Sequence, residues 1–335
     1  MNRPPPRLTI VVPCYNEAEM LPETLPLLLE LIRSLQTDEL VADKSGILLI
    51  DDGSQDDSWA IITSFSTRDN RVSGIKLAGN VGHQKALLCG LLNAPGDAVI
   101  SIDADLQDDP GAARAMLTNY REGSDVVYGV REDRQADSRF KRTSAELFYR
   151  ALAAFGVNTV FNHADFRLMS RKAVEALRLF PERAIYLRGI MPLIGLPSSS
   201  VGYSRRIRPR GLTKYSLRKM TALAADAVTS LSVLPLRAVA VLGLLIFMAS
   251  SLSGIWVLTT RLLTDRAVPG WASTALPIYF LGGVQLLCLG ILGEYLGKIY
   301  IEVKKRPPFL IEAATAADFS PGYPTPTDFQ AGLTK

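Results

Sequence analysis

The sequence has little of the two residue types that build most metal and redox centres. Its 335 residues include 3 cysteines and 2 histidines. Cys14, Cys89 and Cys288 stand far apart, which argues against a disulfide framework and against a zinc site, and His83 and His163 are too few for a histidine-rich centre. A strong excess of one charge is also missing. Thirty-seven Lys and Arg face 33 Asp and Glu, a net of +4, so bulk charge gives no case for a nucleic-acid partner. Neither a Gly-x-Gly-x-x-Gly turn nor a Gly-x-x-x-x-Gly-Lys-Ser/Thr loop occurs, which sets aside dinucleotide and P-loop binding. There is no fixed-period repeat and no low-complexity block. The first apolar stretch is short and runs into Asn16 and Glu17, so no secretory signal is legible and the large domain is expected in the cytoplasm.

Charge is absent most tellingly in two places. The 23 residues from Ala238 to Thr260 and the 27 from Ala267 to Gly293 carry none, and each run matches the roughly 20 apolar residues a bilayer helix needs. No such run precedes them. With 48% hydrophobic residues overall there is material for a sizeable core as well. The chain therefore reads as a cytoplasmic domain over 1–212, an interfacial amphipathic segment over 213–236, a two-helix transmembrane hairpin over 237–296, and a cytoplasmic end over 297–335. Ser138 to Phe155 and Thr213 to Leu234 have the pattern of amphipathic helices that lie at a lipid surface.

What is present in the first half is alternation. Short β-branched runs (Leu8 to Val12, Ile47 to Ile50, Ser73 to Leu77, Ala98 to Ile102, Asp125 to Val130) are separated by stretches of helical periodicity (Leu21 to Leu35, Ser58 to Ser66, His83 to Asn93, Gly111 to Glu122). That order predicts an α/β fold with a mostly parallel sheet, whose ligands bind at the carboxyl edge. Polar clusters fall where that edge should be: Pro13 to Glu17, Asp51 to Ser54 and Asp103 to Gln107. Asp103 and Asp105 flank an alanine at a strand end, so both carboxylates should project the same way and could share one Mg²⁺ or Mn²⁺ with substrate phosphates, Gln107 adding a third oxygen. A turn that merely contains acids is the bland alternative. The neighbouring Asp51-Asp52 favours the metal-diphosphate reading.

Val-Val-Pro-Cys-Tyr-Asn-Glu (11 to 17), Asp-Asp-Gly-Ser (51 to 54), Asn80-Val81-Gly82 and Asp-Ala-Asp-Leu-Gln-Asp-Asp-Pro (103 to 110) together resemble the inverting family 2 glycosyltransferases. Downstream, Asp165-Phe166-Arg167-Leu168, the series Tyr203-x-Arg205-x-x-Arg208-x-x-Gly211-x-Thr213-Lys214-Tyr215, and Leu292 to Tyr300 resemble the polyprenyl-phosphate branch, which includes the bactoprenol glucosyltransferases and dolichyl-phosphate mannose synthase. The resemblance covers about residues 7 to 311, leaving 312–335 as a polar tail expected to be disordered. It implies a GT-A-like nucleotide-sugar domain in which Pro13, Tyr15, Glu17 and one or both of Asp51 and Asp52 hold the nucleoside. It implies that Asp103 meets nucleotide and metal, that Asp105 and Gln107 ligate the metal, and that Arg131, Arg205, Arg208 and Lys214 meet phosphates of donor or acceptor. Asp165 is implied as base or positioning acid, with an ion pair to Arg167 or Arg171 as its structural alternative. The Gln-x-x-Arg-Trp signature of processive synthases is absent, so one sugar per turnover is expected.

The function so implied is inverting transfer of a hexose, glucose from UDP-glucose, to undecaprenyl phosphate at the inner membrane. GDP-mannose or a UDP-aminosugar is the alternative donor, and a non-catalytic membrane scaffold is the alternative from another class. Membrane lipids are implied partners. The two spans are too few and too free of ionisable residues to form a transport path by themselves, which leaves a homo-oligomer open.

Overall fold

Continuous apolar runs become the central strands because helices cover them on both faces. The computed structural model describes residues 3–105, 107–131, 163–180, 182, 186–203 and 271–315, with scattered residues from 236 to 259. Strands β1 (Leu8–Cys14), β2 (Gly46–Asp51) and β4 (Ala98–Ser101) are buried almost end to end. β3 (Val72–Leu77), β5 (Val126–Arg131), β6 (His163–Ser170), β7 (Ser198–Tyr203) and β8 (Ile311–Ala314) complete one sheet in the order β7-β5-β6-β4-β1-β2-β3-β8. The core β3-β2-β1-β4 is parallel; β6 runs antiparallel to both β4 and β5, and β8 runs antiparallel to β3.

Helix α1 (Leu21–Thr37) turns Leu21, Leu25, Leu28, Ile32 and Leu35 inward, one stripe at helical spacing. With Ile62 of α2 (Ser58–Arg68) and Met116 and Leu117 of α4 (Ala113–Arg121), that stripe packs on one face of the sheet. On the other face lie α3 (His83–Asn93), α5 (Arg171–Arg178) and α6 (Leu187–Leu193). The five strands and four helices expected from periodicity are present with ends within two residues, while β6, β7, β8, α5 and α6 were not anticipated.

Two expectations change here. The tail does not start at 312: Ile311–Ala314 is a strand on the β3 edge, with Ile311 buried, Glu312 3.0 Å from Lys76, and Thr315 Oγ1 accepting from Gly74 N at 2.9 Å. The two-span hairpin is only partly matched. Among the described residues one helix is long and apolar enough to cross a membrane, Phe280–Lys304 within α7 (Trp271–Lys304). It continues past residue 296 to Lys304. The described residues from 236 to 259 are helical, but the rest of the first apolar run, both amphipathic segments, Arg205, Arg208 and Lys214 lie outside the described residues.

The chain divides into two compact units, Met1–Tyr149 with Asn158–Lys214 and Arg306–Lys335, and Arg150–Val157 with Tyr215–Lys305. The first contains the sheet. In the second, the Phe280–Lys304 helix buries none of its apolar window against protein.

Candidate active site

The strand order reverses between β1 and β4, since β2 and β3 lie on one side of β1 and β4 on the other. At such a switch point the loops leaving the two strands diverge and open a crevice at the carboxyl edge. The loop after β1 carries Tyr15 to Glu17 and the loop after β4 carries Asp103 to Gln107, so topology alone brings two of the three expected clusters together.

The third is tied in by hydrogen bonds. Asn16 N donates to Ser54 Oγ at 3.0 Å, Asn16 Oδ1 accepts from Gln55 N at 2.8 Å, and Glu17 N donates to Ser58 Oγ at 3.0 Å. Asn16 sits at φ 53°, which asparagine tolerates better than most residues. Gly53 turns the β2 loop at φ 66°, and a Cβ there would come within 2.6 Å of the Gly79 backbone, so only glycine fits. Pro13 is buried, Tyr15 is 41% exposed and Glu17 is half-buried.

Asp51 and Asp52 part company. Both are buried, but Asp52 spends its carboxylate on the chain: Oδ1 accepts from Val81 N at 2.8 Å and Oδ2 from Gly82 N at 2.9 Å. These are donors at the start of α3, where a carboxylate also meets the positive end of the helix dipole. Asp52 therefore helps to place α3. Asp51 Oδ1 accepts from Ser54 N at 3.0 Å, whereas its buried Oδ2 has no hydrogen-bond partner among the described residues.

Antiparallel β6 delivers the next acid. Its register sets Ser101 against Arg167, so the first residues of β6 reach the edge where β4 ends, and Asp165 arrives beside Asp103. Asp165 Oδ1 accepts from Arg167 Nη2 at 2.6 Å and from Arg188 Nε at 3.2 Å, and Oδ2 from Arg188 Nη2 at 3.0 Å and Gln84 Nε2 at 3.3 Å. His83 Nε2, on the first residue of α3, lies 3.4 Å from Asp165 Oδ2 and 3.6 Å from Asp103 Oδ1. Burial would raise the Asp165 pKa, but the His83 contact and the Arg188 and Arg167 charges hold it well below the usual carboxylate range. Burial opposes protonation of His83 too, yet Asp165 and Asp103 leave it raised.

Asp103 behaves oppositely. Its side chain keeps 39% exposure at the mouth, but protein surrounds it on most sides. That desolvation, against the partial relief from His83 and with the charges of Asp165, Asp108 and Asp105 added, pushes it up to about 6. Asp105 and Gln107 are half-buried in the same turn, with Gln107 N donating to Asp105 Oδ1 at 3.2 Å. Arg131 is occupied within the protein: Nη2 donates to buried Asp108 Oδ1 at 3.1 Å and Nε to Tyr203 Oη at 3.1 Å.

The expected ion pair of Asp165 with Arg167 is thus present, but its second arginine is Arg188. Arg171 instead donates to the carbonyls of Gly96 and Ala94. Arg188 carries no local motif and Gln84 looks like an ordinary helix residue, so neither could be picked out from sequence pattern.

The glycosyl transferase family 2 model matches residues 9–178. The uncharacterized glycosyltransferase YkoT of Bacillus subtilis is 48% identical over 314 residues, covering 93% of each chain. The SfII prophage-derived bactoprenol glucosyl transferase of Shigella flexneri is 38% identical over 307 residues, 91% of this chain and 97% of that protein. The prophage bactoprenol glucosyl transferase homolog of Escherichia coli K12 is 36% identical over 307 residues, 91% and 98%. A GT-A-like α/β domain with a mostly parallel sheet, acids lining its switch-point crevice, and identity across nearly the whole length agree: the chain belongs to glycosyl transferase family 2 and is a glycosyltransferase.

Proposed function

We propose that the protein transfers one hexose, glucose from UDP-glucose, to undecaprenyl phosphate with inversion at the anomeric carbon. The observation that carries this reading is the switch-point crevice itself, where Asp103 and Asp105 leave β4 opposite the loops of β1 and β2. Relatives named bactoprenol glucosyl transferases, matched over 91% of the chain, support the acceptor and the sugar. The buried Asp51 Oδ2 supports a nucleoside in the crevice, since an N–H of the base would supply the donor this oxygen lacks within the described protein.

The residues suit a divalent cation. Asp103 and Asp105 are oxygen donors, and burial together with the neighbouring acids Asp165, Asp108 and Asp105 raises the Asp103 pKa. Mg²⁺ or Mn²⁺ would be held by Asp103, Asp105 and donor phosphates, with Gln107 close by. A bound cation would neutralise charge developing on the departing nucleoside diphosphate. The acceptor phosphate, with a second pKa of about 6, is largely ionised at neutral pH and needs little help from a base. Asp165 accordingly serves by holding His83 and Arg188 in place, because a carboxylate sharing two guanidiniums is a poor proton acceptor. Arg205, Arg208 and Lys214 are proposed to meet the acceptor phosphate beside the membrane.

Full-length protein in lipid nanodiscs with undecaprenyl phosphate, Mn²⁺ and a panel of UDP- and GDP-sugars tests the assignment. Glucosyl lipid from UDP-glucose is expected. Product from GDP-mannose or a UDP-aminosugar instead would change the donor, and no lipid product from any donor would overturn the function.

The proposed topology has two spans with the catalytic unit and both termini in the cytoplasm. Basic residues from Arg205 to Lys219 and Lys298, Lys304, Lys305 and Arg306 flank the apolar runs, while the connecting loop offers Arg261 and Arg266 against Asp265. A cysteine at position 264 should label from outside intact cells and one at position 320 should not. The reverse pattern would refute the orientation.

A further inference from the structure

Of the described acids in the turn that follows β4, Asp108 alone is buried, at 2% exposure, while Asp103, Asp105 and Asp109 stay partly open. Its Oδ1 accepts from the Tyr203 hydroxyl at 2.6 Å as well as from Arg131 Nη2 at 3.1 Å, and Arg131 Nε donates to the same hydroxyl at 3.1 Å, closing a triangle. Arg131 and Tyr203 are the last residues of β5 and β7 and face each other across the parallel ladder. The tyrosine ring is located independently of its hydroxyl. Phe166 meets it edge-on at 5.3 Å and 84°, and a Cβ on Gly129 would come within 3.0 Å of its Cε1 and 2.8 Å of the Phe166 carbonyl oxygen. A glycine on β5 therefore makes the room the ring occupies.

We propose that Tyr203 is a positioning residue for the catalytic turn: with Arg131 it fastens Asp108, and so sets where Asp105 and Gln107 stand. Two strands that end side by side hold the turn from outside the crevice, as supporting hydrogen bonds hold metal-ligating side chains elsewhere. Tyr203 also stands two residues before Arg205 in the chain, so the same anchor begins the basic segment. The inference rests on the reading of Asp103 to Gln107 as the donor site.

Tyr203→Phe in the full-length protein tests it, because the ring and its contact with Phe166 survive and one hydroxyl is lost. Turnover should fall about 10- to 100-fold. Amide hydrogen exchange should speed up in the peptide spanning 103–112 and stay unchanged in β1 and β2. Unchanged exchange in the turn, or faster exchange without loss of turnover, would overturn the proposal. So would loss of protection throughout the sheet, which would mark the tyrosine as a general stability residue. Exchange is read without donor or acceptor, so it decides on the tether even if the sugar-transfer assignment fails.

Discussion

Asp105→Asn lowers sugar transfer by about 10²- to 10³-fold, the size of effect expected when one preorganised electrostatic group leaves an active site. The melting temperature should hardly move. Asp105 is half-buried, and the oxygen that accepts from Gln107 N at 3.2 Å exists in asparagine as well. What the substitution removes is the negative charge that makes the side chain a ligand for a hard cation. The expected companion result is loss of Mn²⁺ binding by electron paramagnetic resonance, with activity of the unaltered protein abolished by EDTA. Full activity in EDTA, or in the Asp105 variant, would sink the metal mechanism while leaving the family assignment untouched.

Asp165→Asn is expected to be costly in a different currency, lowering stability by about 3–5 kcal/mol because it leaves a buried guanidinium without its counter-charge. Arg167 has 0% exposure, and its Nη1 already lacks a partner among the described residues, so the Asp165 carboxylate at 2.6 Å is its main compensation. Urea or thermal unfolding of the full-length protein measures the loss. The double variant Asp165→Asn with Arg167→Met should recover part of it, since removing both members of a buried pair costs far less than removing one. The same carboxylate fixes the direction of a pH effect. Its native pKa is depressed, so its contribution is complete above the ordinary carboxylate range and is lost only as acid carries the pH through the lower native value. If Asp165→Asn melts with the unaltered protein, the buried-pair account is wrong.

Local pattern identifies β1 through β5 and α1 through α4 because their evidence is contained in short windows. A buried strand reads as an apolar run, and a helix repeats its apolar residues every three or four positions. The strands that escaped notice lack that signature for physical reasons. β7 reads Ser-Ser-Ser-Val-Gly-Tyr because it lies on the sheet edge, where alternate residues face solvent. β8 follows an apolar helix and a Pro-Pro pair, and takes its place only by pairing with β3, more than 230 residues away in the chain. β6 opens with the polar residues His163, Asp165 and Arg167, which a hydrophobic count passes over.

The sequence by itself determined the fold class, the acids at the strand ends, the Asp103-Ala104-Asp105 spacing and the apolar runs, all properties of neighbouring residues. Only the tertiary structure decided how those residues divide their labour. Asp52 ends up fastening α3 while its neighbour Asp51 keeps an oxygen with no partner among the described residues, a difference set by which one faces the Val81 and Gly82 amides. Asp165 stands at the centre of a cluster with Arg167, Arg188 and His83, and Arg131 donates to buried Asp108. These outcomes depend on antiparallel register and on side chains from remote segments. A charge is tuned by what surrounds it within a few ångströms, and those surroundings exist only once the chain has folded.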